Sequence, residues 1–394
     1  MISVEEALAR VFDLFNPLDI EDVPIAQAMG RVLAKDVKAT HNQPPFAGSA
    51  MDGYAVQTAD ITSGTTLTVI GESAAGTRFE GSVDAGQAVR IFTGAPVPDG
   101  ADRILIQEDC TRVDDTITVA DNIDTKTYIR PAGGDFAIGD TVFAPLKLGT
   151  NEISLLAAMN VGIVPVRRKP IIALVPTGDE LVYPGAPLGP DQICSSNNLG
   201  LKAMVEAAGG EARLLPIARD NEAALRTVLD LCEGADAIVT MGGASVGDHD
   251  LVGQMAQGAD METSFYKVAM RPGKPLMAGR YNGTPLIGLP GNPVSSIVCG
   301  HIFLRPALNA MLGLGKQALS RETATLMQDI KNNGPRAHYM RAQLGHQNGT
   351  PTCTLFDRQD SSLLSILAKA NILMVRNPNE PSKKAGDIVD IIRI

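Results

Sequence analysis

The sequence contains no tryptophan, and aromatic residues make up only 4% of its 394 residues. Surfaces that stack nucleic-acid bases are built from aromatic side chains, so their scarcity argues against a single-strand binder. Acidic residues outnumber basic ones by 44 to 34, which gives a formal net charge of −10. Because nucleic acids and most membrane surfaces are anionic, we expect neither nucleic acid nor membrane as a partner.

Long apolar runs and clustered cysteines are also lacking. No apolar run approaches the ~20 residues of a membrane span. The acidic start MISVEEALAR has none of the basic and apolar segments of a secretion signal. An odd, unclustered set of cysteines indicates reduced, buried thiols in a cytoplasmic protein, not disulfides or a zinc site. These are Cys110, Cys194, Cys232, Cys299 and Cys353.

The first half of the chain changes character twice. A helix is predicted over residues 3–15, where Ser3 and Glu6 fit a capping box. Residues 44–140 have short alternating segments between Gly, Pro and Asp turns, which predicts a β-rich module. Its predicted strands are Leu67–Ile70, Ala88–Phe92, Arg103–Ile106 and Thr116–Val119. A second helix is predicted over residues 151–160, so the module is inserted and the first domain is discontinuous.

From Ile171 the pattern alternates between strands and helices, as in a mostly parallel sheet with helices on both faces. The predicted strands are Ile171–Pro176, Ala212–Ala218, Ala237–Met241 and Pro285–Leu289, and the predicted helices lie near 197–208, 221–232, 250–258 and 294–311. After about residue 318 the pattern returns to strands. We expect an α/β plus β protein with domains 1–43 and 141–170, 44–140, 171–318 and 319–394.

Polar, glycine-rich loops follow the predicted strands of the α/β segment. Ligands bind outside the carboxyl ends of strands in open α/β sheets, so these loops are expected to converge on one site. They are Thr177–Glu180, Arg219–Asn221, Gly242–Asp250 and Pro290–Pro293.

The loop from Gly242 to Gly247 has two interpretations with a function. Glycines before a helix allow a phosphate or pterin to approach the backbone, although the loop is neither a Walker A nor a dinucleotide motif. It also spells G-x-S-x-G around Ser245, as in an α/β serine hydrolase, for which His301, His338 or His346 could serve as base. Asp248 and Asp250 beside the serine argue against an alkoxide. An ordinary tight turn is the third possibility.

Charged residues recur in the loops. Carboxylates near a phosphate loop suit Mg²⁺, although Asp220 and Asp250 could equally be helix N-caps. The candidate carboxylates are Asp52, Asp135, Glu180, Asp220, Asp248 and Asp250. Arg271 and Lys274 lie on a proline-flanked turn that either attracts an oxyanion or is a simple surface turn.

Eight stretches, in order and spanning nearly the whole chain, resemble the molybdopterin molybdenumtransferase family, which includes the E domain of gephyrin. They are PPFAGSAMDGYA, FTGAPVPDGAD, AGGD, PTGDEL, SSNNLGL, MGGASVGDHD, AMRPGKPL and GLPGNPVSS. The resemblance implies a mostly parallel three-layer α/β molybdopterin-binding domain, an inserted β-rich module and a C-terminal β-barrel-like domain.

The resemblance also implies an activity and partners. Family members insert molybdate into adenylated molybdopterin and release AMP, assisted by Mg²⁺. They look like elongated homodimers whose cleft lies between the α/β domain of one subunit and the β module of the other. A separate molybdopterin adenylyltransferase would supply the substrate, and molybdoenzymes or their chaperones would take the product. Molybdate and tungstate both stay open as the oxyanion, and a non-catalytic scaffold of the same fold is an alternative.

Site residues follow by matching each motif. The implied catalytic set is Asp52, Thr93, Asp135, Glu180, Asp220 and Asp250. The implied cofactor-binding set is Gly242, Gly243, Ser245, Gly247, Ser361 and Ser362. The implied molybdate-binding set is Arg271, Lys274, Pro290 and Pro293, and the implied metal ligands are Glu180 and Asp250.

Overall fold

The computed structural model of the protein describes residues 1–242 and 261–394. The α-helices in these residues are Val4–Phe12, Thr150–Ala158, Asn197–Ala207, Glu222–Asp230, Pro293–Cys299, Arg305–Met311 and Leu364–Leu367. The predicted helix 294–311 contains a wider π-helical turn at Gly300–Leu304, where Pro306 cannot donate an N–H to the preceding turn. The predicted helix near 250–258 lies outside the described residues.

The first helix begins as the sequence predicts. The Ser3 hydroxyl accepts a hydrogen bond from the Glu6 amide at 3.1 Å, which caps the helix. Val4, Leu8 and Val11 are buried on one face, and they pack into the core of the α/β segment. The helix therefore joins the third segment of the chain, although the sequence groups it with the first domain.

A small antiparallel sheet joins residues on either side of the β-rich module. The strand Ile20–Pro24 pairs with Ile163–Arg167, and the chain between them leaves this sheet and returns. This long-range pairing is the physical basis of an inserted module. The other short strands of this region are Val32–Leu33, Val37–Lys38, Thr141–Val142 and Leu146–Lys147.

The β-rich module contains a six-stranded sheet with an apolar core on each face. The predicted strands Arg103–Ile106 and Thr116–Val119 match the structure, and Leu67–Ile70 is part of a longer strand. The sheet strands are Gly53–Val56, Thr66–Ser73, Gln87–Ile91, Arg103–Ile106, Cys110–Val113 and Thr116–Val119. The short strands Gly48–Ser49 and Ile129–Arg130 pair with each other.

The α/β segment is built on a six-stranded mixed sheet with apolar cores on both faces. Its first four strands are parallel and the last two are antiparallel. In spatial order they are Glu211–Leu214, Ile171–Pro176, Ala237–Met241, Thr284–Leu289, Met277–Tyr281 and Met261–Tyr266. The predicted strand Ala212–Ala218 is too long, because Pro216 has no N–H to continue the ladder.

The C-terminal segment is a closed five-stranded barrel around its own apolar core. The strand Ala337–Gln347 pairs with both Thr350–Leu355 and Ile372–Arg376, which closes the ring. Its other strands are Glu322–Leu326 and Ile388–Arg393. A short strand, Met270–Arg271, adds to Ala337–Gln347 and joins the barrel to the α/β segment. The predicted barrel-like C-terminal domain is thus confirmed.

No helix within residues 1–242 and 261–394 combines the length and apolar character that crossing a membrane requires.

Candidate functional site

A cavity of about 400 Å³ opens at the carboxyl edge of the parallel strands. It is lined by residues from all four of the loops that follow these strands. From the predicted site, the structure brings Glu180, Asp220, Gly242, Pro290 and Pro293 to this one cavity. Convergence at the strand ends is therefore a property of the described structure.

At the floor of the cavity, the backbones of neighbouring loops pack closely against each other. Gly242 has φ +103°, and a Cβ there would lie 2.6 Å from the carbonyl oxygen of Thr177. A Cβ on Gly291 would in turn lie 3.5 Å from the Gly242 Cα. Any larger residue at Gly242 would collide with the neighbouring loop, so this floor presents peptide groups without side chains.

The acidic wall of the cavity is held by two loops that bond to each other. The Asp179 amide donates to the Asp220 carboxylate at 3.3 Å, and the Asp220 amide donates to the Asp179 carboxylate at 3.2 Å. Asp220 is not the helix N-cap that the sequence left open. Asn221 fills that role, because its side chain accepts from the Ala224 amide at 2.9 Å. The carboxylate of Asp220 is therefore left to line the cavity with Glu180.

A loop of the C-terminal segment, which contains Ser361 and Ser362 and is called the tail loop, reaches the opposite rim of the cavity. The side-chain amide of Asn292 donates to the Ser361 hydroxyl at 3.1 Å, and the Val294 amide donates to the Ser361 carbonyl at 3.1 Å. Ser362 instead donates its hydroxyl to Asp360 at 2.6 Å. Ser361 thus lies against the turn that supplies Pro290 and Pro293, whereas Ser362 is bonded within its own loop.

Three residues at this rim were missed by sequence reasoning. Asn197 donates to the Gly291 carbonyl at 2.8 Å, and Asn292 holds Ser361. Arg341 is buried, and it donates to the Asp360 carbonyl at 2.8 Å, which anchors the tail loop. The asparagines stand inside motifs already singled out, so they could have been found. Arg341 could not be identified from the sequence, because its strand shows only an alternation of apolar and polar residues.

The β-rich module brings two further motifs together. The backbone amide and the hydroxyl of Thr93 both donate to one carboxylate oxygen of Asp52 at 2.7 Å. These hydrogen bonds hold the pKa of Asp52 below its usual value, so the carboxylate is charged at neutral pH. Asp135 lies in the same module, where its amide donates to the Gln43 carbonyl at 2.9 Å. The residues described around the cavity include none of Asp52, Thr93 and Asp135.

The turn over residues 271–275 contributes residues to two cavities. Gly273, at its centre, has φ +110° and packs so closely on Cys299 that a Cβ would overlap the sulfur. Pro275 lines the main cavity, whereas Arg271 lines a second one at the open end of the barrel. The Lys274 carbonyl accepts from the Val268 amide at 3.0 Å.

The remaining predicted residues of the glycine loop lie outside the described residues. They are Gly243, Ser245, Gly247, Asp248 and Asp250.

One sequence expectation about cysteine is wrong. Cys194 is exposed and lines the main cavity, because it lies in a short strand pair, Leu181–Val182 with Ile193–Cys194, that projects beyond the sheet. Cys110 is half-buried. Burial is correct for the other three, which are Cys232, Cys299 and Cys353.

No histidine stands among the described residues that line the main cavity. His301 lies in the π-helical turn, with its Nδ1 3.3 Å from the Arg305 guanidinium. Burial and then Arg305 lower the pKa of His301 to about 4. His338 lies at the mouth of the barrel, and His346 lies on a barrel strand. None of these three is placed to act as a base in the main cavity.

The described lining of the cavity contains oxygen donors of the kind that would hold Mg²⁺. Two carboxylates, Glu180 and Asp220, line the cavity. Within residues 1–242 and 261–394 no three His, Cys, Asp or Glu side chains cluster closely enough to form a metal cage. Mg²⁺ usually takes one or two carboxylates together with waters and substrate phosphates, so this donor set suits it.

Models of known protein families match nearly the whole chain. Three family models match: the MoeA N-terminal region (domain I and II) at residues 2–160, a probable molybdopterin binding domain at 173–310, and the MoeA C-terminal region (domain IV) at 323–394. A solved structure of the molybdopterin biosynthesis MoeA protein from Pyrococcus horikosii has a TM-score of 0.82 and 28% identity, and the match covers 100% of this chain and 99% of that one. The fold is therefore the multidomain MoeA fold.

Curated relatives narrow the class to a family. Molybdopterin molybdenumtransferase 2 of Mycobacterium tuberculosis is 36% identical over 363 residues, 89% of each chain. Molybdopterin molybdenumtransferase of Haemophilus influenzae is 31% identical over 397 residues, 99% of this chain and 98% of the relative. The chain belongs to the molybdopterin molybdenumtransferase family, the transferases of molybdenum cofactor biosynthesis. This confirms the resemblance carried by the eight motifs, and it disfavours the hydrolase and scaffold alternatives.

Proposed function

We propose that this protein inserts molybdate into adenylated molybdopterin at the cavity beside Glu180 and releases AMP. The convergence of four strand-end loops on one cavity carries the proposal. Such a cavity, about 400 Å³ in volume, suits a small organic substrate with charged groups. Peptide groups at its floor and carboxylates on its wall give it two chemically different sides.

The two sides receive different parts of the substrates. The phosphates would lie at the glycine loop that begins at Gly242, where the absence of side chains lets them approach the backbone. Molybdate would lie near Lys274, between Pro290 and Pro293, with Ser361 held at that rim by Asn292. The remaining proposed ligands of the pterin phosphates are Gly243, Ser245, Gly247 and Ser362.

Charge is the main barrier that the site has to overcome. Molybdate is a dianion and the pterin carries phosphates, so the two substrates repel each other. Lys274 would offset part of this repulsion at short range, and Arg271 would add attraction from the neighbouring cavity. Mg²⁺, held by Glu180 and Asp250, would supply further neutralisation of phosphate charge when bound. Asp220 would orient water or oxo groups through hydrogen bonds.

The active unit is proposed to be a homodimer. Asp52, Thr93 and Asp135 belong to the β-rich module and are not among the described residues that line the cavity of their own chain, so a second subunit would supply them. Substrate is proposed to come from a separate molybdopterin adenylyltransferase, and product to pass to molybdoenzymes or their chaperones. All five cysteines are free thiols, which supports the cytoplasmic location that the sequence predicts.

Mixing two inactive variants tests both the site and its sharing. Asp52→Ala damages the β-rich module and Glu180→Gln damages the cavity, and each alone is expected to lose AMP release from adenylated molybdopterin with molybdate. If the site is shared, a mixed dimer contains one site built entirely from intact parts. After full subunit exchange, roughly a quarter of all sites would then be active.

The control and the contrary results are distinct. Glu211→Gln removes a carboxylate at the far end of the same sheet and should keep full activity. Undiminished AMP release by Glu180→Gln would remove the cavity from the reaction. Two inactive variants that do not restore each other would instead place the complete site within one chain.

A further inference from the structure

The open end of the C-terminal barrel carries a row of basic side chains. Arg271, His338 and Arg376 are direct neighbours across three adjacent strands: Arg271 pairs with His338, and His338 pairs with Arg376. Directly opposed residues project from the same face of a sheet. Arg271 and Arg376 therefore flank His338 on one face of the sheet.

These side chains face a cavity of about 370 Å³ over the apolar core of the barrel. Lys331 adds a further cation to its wall, and Asp357 is the one acidic residue that lines it within the described parts of the chain. Mouths of β-barrels are common places for ligand sites. The cavity is separate from the main one, since none of its described lining residues is shared.

Hydrogen bonds hold one member of the row in place, and the other members keep free donors. Arg376 is buried, and its guanidinium donates to the Glu380 carboxylate at 2.9 Å and to the Pro381 carbonyl at 2.7 Å. In the described structure the side chains of Arg271, His338 and Lys331 have no hydrogen-bonding or ion-pair partner. Three basic groups thus face the cavity with donors to spare.

The imidazole of His338 reports the positive potential of this place. Burial, and after it the charges of four arginines, together lower the pKa of His338 to about 4; in order of effect these are Arg271, Arg376, Arg341 and Arg336. A neutral imidazole still donates one hydrogen bond through a ring N–H. An anion in the cavity would therefore meet guanidinium, ammonium and imidazole donors together.

We propose that the mouth of the barrel is a second oxyanion site, which binds a tetrahedral oxyanion, either inorganic or as the phosphate group of a small molecule. Guanidinium groups match the geometry of such oxygens, and Lys331 adds a point charge. Binding would place negative charge beside Arg271 and Lys331, whose side chains have no ion-pair partner among the described residues. This site differs from the main cavity in its lining and in the ligands His338 and Lys331, while Arg271 is the one residue that it shares with the proposed molybdate set.

Histidine NMR can test this site directly in the full-length protein. The chain has five histidines, and His338→Gln assigns the ring signal of His338. Inorganic phosphate, tungstate and glycerol 3-phosphate are titrated separately. We expect at least one of them to shift the His338 signal saturably, and to raise the pKa of that ring, because a bound anion stabilises the imidazolium. Tighter binding of glycerol 3-phosphate would identify an organic ligand, and tighter binding of phosphate or tungstate an inorganic one.

A matched pair of charge reversals separates a site from a general charge effect. Lys331→Glu reverses a charge in the cavity, and Lys316→Glu makes the same change on an exposed loop outside it. Near a protein surface such a reversal should weaken binding at His338 by about tenfold for Lys331→Glu only. The signals of the other four histidines show whether each variant keeps its fold. No saturable shift with any probe in the millimolar range, or equal weakening by both variants, would overturn the proposal.

Discussion

Replacing Gly273 with alanine tests whether the turn from Arg271 to Lys274 is held in place by packing. The perturbation has two separable costs. At φ +110°, alanine is strained, which costs about 1–3 kcal/mol. The added Cβ would also overlap the Cys299 sulfur and lie 3.2 Å from the Met270 sulfur, and overpacking of this kind costs about 1–3 kcal/mol. The expected total is about 2–6 kcal/mol.

Two further variants separate these costs. Gly283→Ala is the matched control, because φ there is +79° and a Cβ would meet nothing within 4 Å. It should cost only the strain, about 1–2 kcal/mol. Cys299→Ala removes the sulfur that the new methyl group would overlap. Combined with Gly273→Ala it should return the overpacking part, as a favourable coupling of about 1–3 kcal/mol, while the strain remains.

Native-state hydrogen exchange is the suitable assay for a chain with several segments. Amides of the helix Pro293–Cys299 report the local free energy of opening, and the four variants are compared with the wild type at those amides. AMP release is measured beside it, since the turn positions Lys274 and Pro275. The reasoning is refuted if Gly273→Ala costs no more than Gly283→Ala, or if Cys299→Ala shows no coupling with it.

Two further outcomes follow from single hydrogen bonds. Thr93→Val removes the hydroxyl but keeps the amide bond to Asp52, so an NMR titration should find the pKa of Asp52 raised yet still below its usual value. A depressed carboxyl pKa stabilises the fold above about pH 4 and loses that effect as the pH falls, so the variant should lose less stability in acid than wild type; an unchanged Asp52 titration would contradict this. Asn292→Ala removes the hydrogen bond from the Asn292 side chain to the Ser361 hydroxyl. Because the Val294 amide donates to the Ser361 carbonyl, hydrogen exchange of that amide should accelerate about fivefold, as expected for a lost bond of ~1 kcal/mol. Ser362→Ala is its control, and equal acceleration in both variants would show that Asn292 does not hold the tail.

Local patterns were sufficient where a short segment determines its own conformation. Strands such as Ile171–Pro176 and Ala237–Met241 have the predicted bounds, because unbroken apolar runs between turns favour buried strands. The Ser3 cap is equally local, since it needs only residues three apart. Errors arose where one residue interrupts the pattern, as Pro216 does.

The sequence pattern did not decide which of two neighbouring residues takes a role that both could fill. Asp220 and Asn221 are both good N-caps, and only the path of the chain shows that Asn221 caps the helix while Asp220 faces the cavity. Cys194 read as a buried thiol by composition, yet its strand pair projects beyond the sheet. Choices of this kind depend on where a loop goes after it leaves its strand.

The sequence by itself determined the order of helices and strands, the strand-end loops and the family, because each rests on neighbouring residues or on motifs in order. Tertiary structure alone decided which residues of these loops line the cavity. It placed Arg271 opposite His338, and it put Glu180 but not Asp52 among the described residues that line the cavity, although both carboxylates stand in family motifs. Contacts between residues far apart in the chain depend on how strands register and segments pack, and no local pattern encodes that.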